Sequence, residues 1–335
     1  MIPHLNPYDD GMDIATPRAA IPPEAERSRP SPEPALAVDR VLADKSVLGR
    51  SGFASGADRY ERARPGYSDE ATEHVLAALG IGPTTRVLDI GAGTGKLTRL
   101  LVATGASVVA SEPSESMRTT FAKVVHGTPQ VAATAEHLPF SVNSFDAVTV
   151  AQAFHWFDAP RALAECARIL RPGGGLALVW NERDESDPVV AELTRISKWD
   201  VHQPYPVGMD FGSVIDASGA FGPVDRTVFR FTQKLDRETF VEQVESRSYI
   251  AVLPEDRRRA ILDDVTALAA GLSEPILMPY IADTFCTHII GTGRPGTAAA
   301  RSGLPPTVTT GQPLVSGSGA IRQQSGPTTT GGQPP

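Results

Sequence analysis

The segment Val87-Leu-Asp-Ile-Gly-Ala-Gly-Thr-Gly95 constrains this chain more than any other. A short apolar run meets a turn rich in glycine, and the pattern after it, Leu97, Leu100, Leu101 and Ala103, recurs at helical spacing. A strand that feeds a helix through so tight a turn is the opening unit of a parallel sheet. The glycines let the backbone turn sharply and leave no Cβ between it and a ligand. In open sheets of this type, ligands lie at the carboxyl ends of the strands, beside the first one.

The rest of the middle segment repeats the alternation. Strands are expected at Thr85–Ile90, Ser107–Glu112, Val131–Thr134, Phe145–Val150 and Gly175–Trp180. Helices are expected at Ala57–Arg64, from Ser68 to Gly80, after Gly95, at Ser114–Val125 and at Arg161–Leu170. Strands that are apolar nearly throughout are covered on both faces. After Trp180 the alternation weakens. Phe229–Leu235 alternates like an edge strand, Asp236–Tyr249 and Glu255–Leu272 read as helices, and Ile276–Ile290 as a last strand. The expected fold is α/β: a Rossmann-like doubly wound sheet, mostly parallel, with an antiparallel edge hairpin and a helical cap over the carboxyl edge. Phe211, Phe221, Trp199 and Tyr205 are read as cap residues, lining an apolar pocket or forming the cap's own core.

Composition sets the boundaries. Residues 1–34 hold eight prolines, and residues 291–335 hold ten glycines and seven prolines. Such stretches bury too little apolar surface to offset the entropy of ordering them. The expected organisation is a disordered arm at 1–50, one domain at 51–290 and a disordered tail at 291–335. Within the domain, 68–182 forms the core and 183–290 the cap and edge strands.

Charge and cysteine content exclude several classes. The net charge is −8, and the tail carries three arginines and no acid, so the middle is more acidic than the whole. An acidic core is a poor binder of nucleic-acid backbones. Arg257-Arg258-Arg259 follows Glu255-Asp256 and reads as a solvated helix face. Cys166 and Cys286 stand in no ligand spacing, which argues against zinc or any other metal. No apolar run reaches the roughly 18 residues that span a bilayer, and the N-terminus lacks a secretory pattern. A cytoplasmic protein with a small-molecule substrate is expected, with no nucleic acid, no membrane insertion and protein partners left open.

Glu112 stands 21 residues beyond Gly91, at the end of the second strand, where a carboxylate can accept hydrogen bonds from both hydroxyls of a ribose. The dinucleotide fingerprint uses the same logic but needs glycine where this chain has Lys96, which disfavours a nicotinamide-dependent oxidoreductase.

Further stretches complete a pattern: Ser111-Glu-Pro-Ser114 with Met117, Ala135-Glu-His-Leu-Pro-Phe140, Phe145-Asp-Ala-Val148, Ala153-Phe-His-Trp-Phe157, Leu170-Arg-Pro-Gly-Gly174 and, upstream, Tyr60-Glu-Arg-Ala-Arg-Pro-Gly-Tyr67. In this order and spacing the chain resembles the class I S-adenosylmethionine-dependent methyltransferases, in the branch of the ubiquinone/menaquinone-biosynthesis and trans-aconitate enzymes. The resemblance covers residues 53–182 firmly and 183–290 loosely. It implies that Gly91, Ala92, Gly93 and Gly95 face the methionine part of the cofactor, with Asp89 beneath the loop. It implies that Glu112 holds the ribose, that Pro113 and Met117 flank the adenine, and that Ala135 and Glu136 read its amino edge. Gln152 would lie near the transferable methyl. Ordinary helix packing competes for Met117, and a solvated loop acid for Glu136.

His155 and Trp156 follow the fourth strand and so emerge on the ligand edge. His155 is a candidate base, or a structural histidine that orders its loop; Trp156 either contacts substrate or packs under the cap. Tyr60 and Arg64 share a helix face, and Arg64 can pair with a carboxylate of cofactor or substrate, or be a surface pair. The implied activity is methyl transfer to a small carboxylate, hydroxyl or quinone-type carbon. A cofactor-binding regulatory protein on the same fold is the alternative.

Overall fold

The computed structural model describes residues 57–197 and 210–290. The expected arm and tail, Trp199 and Tyr205 lie outside the described residues.

The described chain opens with two helices, α1 (Ala57–Ala63) and α2 (Asp69–Ala78). The Ser68 hydroxyl accepts the Ala71 N–H and so caps an otherwise orphaned donor at the start of α2. Then come β1 (Arg86–Ile90), α3 (Lys96–Ala103), β2 (Ser107–Ser111), α4 (Glu115–Val124), the short β3 (Gln130–Val131), β4 (Phe145–Ala151), a single 3₁₀ turn at Phe154–Trp156, α5 (Ala159–Ile169) and β5 (Leu170–Arg183). The later part adds α6 (Pro188–Ser197), α7 (Phe211–Ala217), β6 (Asp225–Leu235), α8 (Arg237–Glu245), α9 (Ser248–Ala251), α10 (Glu255–Ala270) and β7 (Ile276–His288).

Among the described residues the strands form one sheet in the order β3-β2-β1-β4-β5-β7-β6. The first five are parallel, and β7 runs antiparallel between β5 and β6. The chain moves outward from β1 through β2 to β3, then returns to place β4 on β1's other side. The turn after β1 therefore opens at the switch point, where neighbouring connections diverge and leave a crevice.

Alternation along the strands assigns the two faces. Val87, Ala147, Ala177 and Val179 pack beneath Val75 and Leu79 of α2 and Leu97 and Leu101 of α3. Leu88, Ile90, Val148, Val150, Leu178 and Trp180 point the other way, against Leu163, Cys166 and Ile169 of α5. A separate cluster joins Val190 and Leu193 of α6, Phe240 and Val244 of α8, Val265 of α10, and Leu235, Ile276 and Met278. Ile276 to Pro279 lie beyond the last β5 pairing, Arg183 with Tyr280, so the hairpin overshoots the carboxyl edge and carries these helices there.

Several expectations need correction. Phe211 and Phe221 belong to the sheet-face core with Trp180 and Phe285, so the α7 region flanks the sheet and takes no part in the cap. β5 begins at Leu170, before Gly175: Leu170 pairs with Phe145, four residues loop out, and Gly175 resumes opposite Ala147. A Cβ on Gly174 would fall 2.9 Å from the Asp146 carbonyl oxygen, so this bulge needs glycine. The helix expected over Asp236–Tyr249 is two, α8 and α9, divided at Ser246-Arg247. β3 is only two residues long, and β2 ends one residue before Glu112.

Candidate functional site

The turn from β1 into α3 is built on three glycines with positive φ, at Gly91, Gly93 and Gly95. Two of them are glycine because the protein itself is close. A Cβ on Gly91 would lie 2.5 Å from the Ala153 Cβ, and one on Gly95 2.5 Å from the Val125 Cγ2. Gly93 differs: a Cβ there would meet only the Gly91 carbonyl oxygen, at 4.0 Å. The middle of the turn thus presents bare backbone to open space.

Glu112 closes onto that middle. Its Oε2 accepts the Gly93 N–H at 3.0 Å, and its Oε1 accepts the Ser114 N–H at 2.8 Å. Arg118 fixes the bend after β2 by donating to the carbonyls of Glu112 and Pro113. Burial raises the pKa of the Glu112 carboxyl, and the two backbone N–H groups counter that. A carboxylate has about four acceptor sites, so two remain for a diol.

Asp89 lies beneath the turn with both oxygens engaged: Oδ2 accepts the Thr98 hydroxyl at 2.6 Å and Oδ1 the Thr149 hydroxyl at 2.9 Å. It therefore ties α3 and β4 to β1 and braces the turn from inside. Burial pushes its carboxyl up to about 6, against the two hydroxyls. Because the folded pKa exceeds the usual value of 3.8, this group favours folding below about pH 4 and loses that contribution as pH rises through about 6. Asp89→Asn removes the titration. Between pH 4 and 7 wild-type stability is expected to fall by about 3 kcal/mol relative to the variant. Urea unfolding across pH measures this, and parallel profiles would refute it.

Helix α1 lies over the outer side of the turn, held by Glu61. Its carboxylate accepts the Thr94 hydroxyl at 2.5 Å and the Arg99 guanidinium at 2.6 Å, and its backbone carbonyl accepts the Lys96 ammonium at 2.6 Å. Glu61 stands outside the residues that the sequence alone points to. Its signal is Lys96, the departure from the dinucleotide pattern, which is one of the three residues that tie the turn and α3 to α1. Tyr60 and Arg64 do meet, with the guanidinium 5.3 Å from the ring centre. Arg64 is more than a surface pair: it donates to the Ser246 hydroxyl at 3.1 Å and so bridges α1 to the cap.

The other expected residues divide into groups. Gln152 takes φ of 55° just past β4, and its side-chain amide donates to the Asn181 carbonyl at 2.7 Å. A left-handed conformation in a non-glycine residue is costly and is commonly kept at functional positions. Ala135 and Met117 are both buried, and Ala135 packs in the α5-side core. Pro113 is exposed on the bend. Glu136 accepts the Asp158 N–H at 2.8 Å, so it steadies the loop ahead of α5. His155 lies with its ring centre 4.5 Å from Trp156 and 5.1 Å from the buried Trp180. Trp156 packs against the cap cluster. Both therefore lie at the junction of sheet and cap, a few residues past the Gln152 bend. Cys166 and Cys286 are buried, and burial pushes both thiols to about 12, which leaves them unreactive.

Comparison with known proteins supplies the family. A family model described as a methyltransferase domain matches residues 88–178, the interval from β1 to β5. An uncharacterized methyltransferase of Mycobacterium tuberculosis is 40% identical over 244 residues, which is 70% of this chain and 94% of that one. A demethylmenaquinone methyltransferase of a Mycobacterium species is 38% identical over 139 residues, 41% of this chain and 55% of the other. Among solved structures, an Anabaena variabilis protein assigned as a methyltransferase superposes with a TM-score of 0.52 at 21% identity, covering 66% of this chain and 98% of its own, and shares the fold. The chain belongs to the methyltransferases. Among the described residues no helix is long and apolar enough to cross a membrane.

Proposed function

We propose that this enzyme methylates a small-molecule acceptor at the carboxyl edge of its sheet, with residues 51–290 acting as one catalytic unit of core and cap. The observation that carries the reading is the Glu112 carboxylate folded onto the bare backbone of Gly93. The residues there suit the cofactor: an acid with two acceptor sites to spare for a ribose, beside a turn without side chains.

When bound, S-adenosylmethionine supplies a methyl group on a sulfonium, whose departure as a neutral thioether makes it a good leaving group. The chain's own task is then to align the acceptor and exclude water. Glu112 holds the sugar hydroxyls. Gly91, Ala92, Gly93 and Gly95 admit the methionine part, with Asp89 stiffening the turn from below. Pro113, Met117, Ala135 and Glu136 border the adenine. Gln152, held in its strained conformation through Asn181, marks the place of transfer. Helix α1, clamped by Glu61, shuts the site from solvent, with Tyr60 and Arg64 on its inner side and Trp156 at the cap junction.

A carboxylate acceptor needs no base. For a hydroxyl acceptor, His155 is the proton acceptor beside the site. Incubating the full chain with methyl-tritiated S-adenosylmethionine and an extract of small metabolites tests the reading. Label is expected to move into a low-mass product. Label confined to the cofactor, with the cofactor bound, would leave a binding protein in place of an enzyme.

A further inference from the structure

Past its last pairing with β4, at Val179, β5 runs on beside β7 with Asn181 and Arg183 two residues apart, hence on one face. It is the face of Asp89 and Val179, the one α2 and α3 cover. Both residues are buried, at 8% and 7% exposure. Both also hold buried polar atoms with no hydrogen-bond partner: Oδ1 of Asn181, and Nε and Nη1 of Arg183. The guanidinium reaches Gln243 Oε1 only at 3.4 Å, and that oxygen also accepts the Tyr280 hydroxyl at 3.2 Å. Asn181 is held by its amide, which donates to the Gly66 carbonyl at 2.8 Å.

A guanidinium does not shed its proton at any ordinary pH. Burying one therefore costs heavily unless an anion answers it. Two more guanidiniums stand near. Arg64 reaches in from α1 to Ser246, and Arg247, buried, follows at the division between α8 and α9. Burial, with the charges of Arg183 and Arg64, lowers the pKa of the Arg247 guanidinium well below its ordinary value. Three cations from β5, α1 and the cap thus share one region at the edge where transfer is expected.

We propose that this cluster of guanidiniums is the anion subsite of the methyl acceptor: a carboxylate or phosphate of the acceptor pairs with Nε and Nη1 of Arg183, in the field of Arg64 and Arg247. Asn181 Oδ1, an acceptor atom, takes a hydroxyl or N–H of the same molecule. The substrate class is then a small hydroxylated or amide-bearing acid or phosphate, in place of a neutral quinone. The inference rests on the methyltransferase reading above and narrows its acceptor.

The test is calorimetry on the full chain saturated with S-adenosylhomocysteine, titrated separately with citrate and with inorganic phosphate at constant ionic strength. At least one is expected to bind with unit stoichiometry, and the better of the two identifies the anionic group. Arg183→Met is expected to weaken that binding about tenfold or more, Arg183→Lys less, and both are expected to hold S-adenosylhomocysteine within about twofold of wild type. The wild-type titration stands even where a variant fails to fold. Absence of binding by both anions to the loaded wild type would overturn the proposal. So would a loss of S-adenosylhomocysteine affinity in Arg183→Met equal to the loss for the anion, since the guanidinium would then serve the cofactor's own carboxylate. Failure of the wild type to bind S-adenosylhomocysteine at all would instead overturn the cofactor-site reading.

Discussion

Glu112→Ala is expected to weaken S-adenosylhomocysteine binding about 100-fold while leaving the fold in place. The carboxylate offers a sugar two charge-assisted hydrogen bonds, each worth about 1.5–3 kcal/mol before the cost of desolvation. A net loss of about 2.7 kcal/mol corresponds to that factor. The fold survives because the bend after β2 is pinned separately by Arg118, and because the freed N–H groups of Gly93 and Ser114 then face water. Glu112→Gln should lose nearly as much. Its amide has one oxygen to offer the two backbone donors, and its NH₂ would confront the other N–H. Isothermal titration of wild type and both variants measures the effect. Affinity within about threefold of wild type for both would remove Glu112 from the sugar site.

The glycines of the turn separate folding from binding. Gly95→Ala places a Cβ 2.5 Å from Val125 and 2.8 Å from the Phe121 ring, at a φ of +88°. A left-handed alanine costs about 1–2 kcal/mol and overpacking about 1–3 kcal/mol. A loss of about 3 kcal/mol is expected, seen as a fall of about 10 °C in Tm. Gly93→Ala meets no atom closer than 4.0 Å and should cost only about 1 kcal/mol of stability. Its methyl group enters the space where the cofactor would lie, so binding should fall at least about tenfold. Thermal unfolding and titration of the two variants give the contrast. A stable Gly95→Ala, or a Gly93→Ala that binds as wild type, would contradict this division.

Much of this was legible in the residues because local and global preferences agree there. Val87–Ile90 is apolar or paired on both faces, the glycines follow at once, and Ser68 caps its helix as its side chain predicts. The acid at 112 stands out by spacing alone, and its carboxylate lies against the Gly93 backbone. What stayed hidden depends on contacts between residues far apart in sequence. Glu61 is one helical acid among many until α1 folds onto Thr94, Lys96 and Arg99. Phe211 and Phe221 looked like cap residues because the segment around them lacks a clear period, yet they insert beside Trp180 and Phe285. Arg183 reads as an ordinary charge after a strand. Only the antiparallel pairing with β7, which carries the cap past the sheet's end, buries it. Glu136 carries a contact that its motif does not announce, since its side chain also accepts the Asp158 backbone N–H.

Equilibrium dialysis of the purified full chain against labelled S-adenosylmethionine, with and without an excess of NADH, asks most directly whether the turn at Gly93 and the Glu112 carboxylate hold this cofactor. The expected result is one site per chain with a dissociation constant on the order of micromolar, unmoved by NADH. No retention at millimolar ligand by a folded chain, or displacement by NADH, would contradict it.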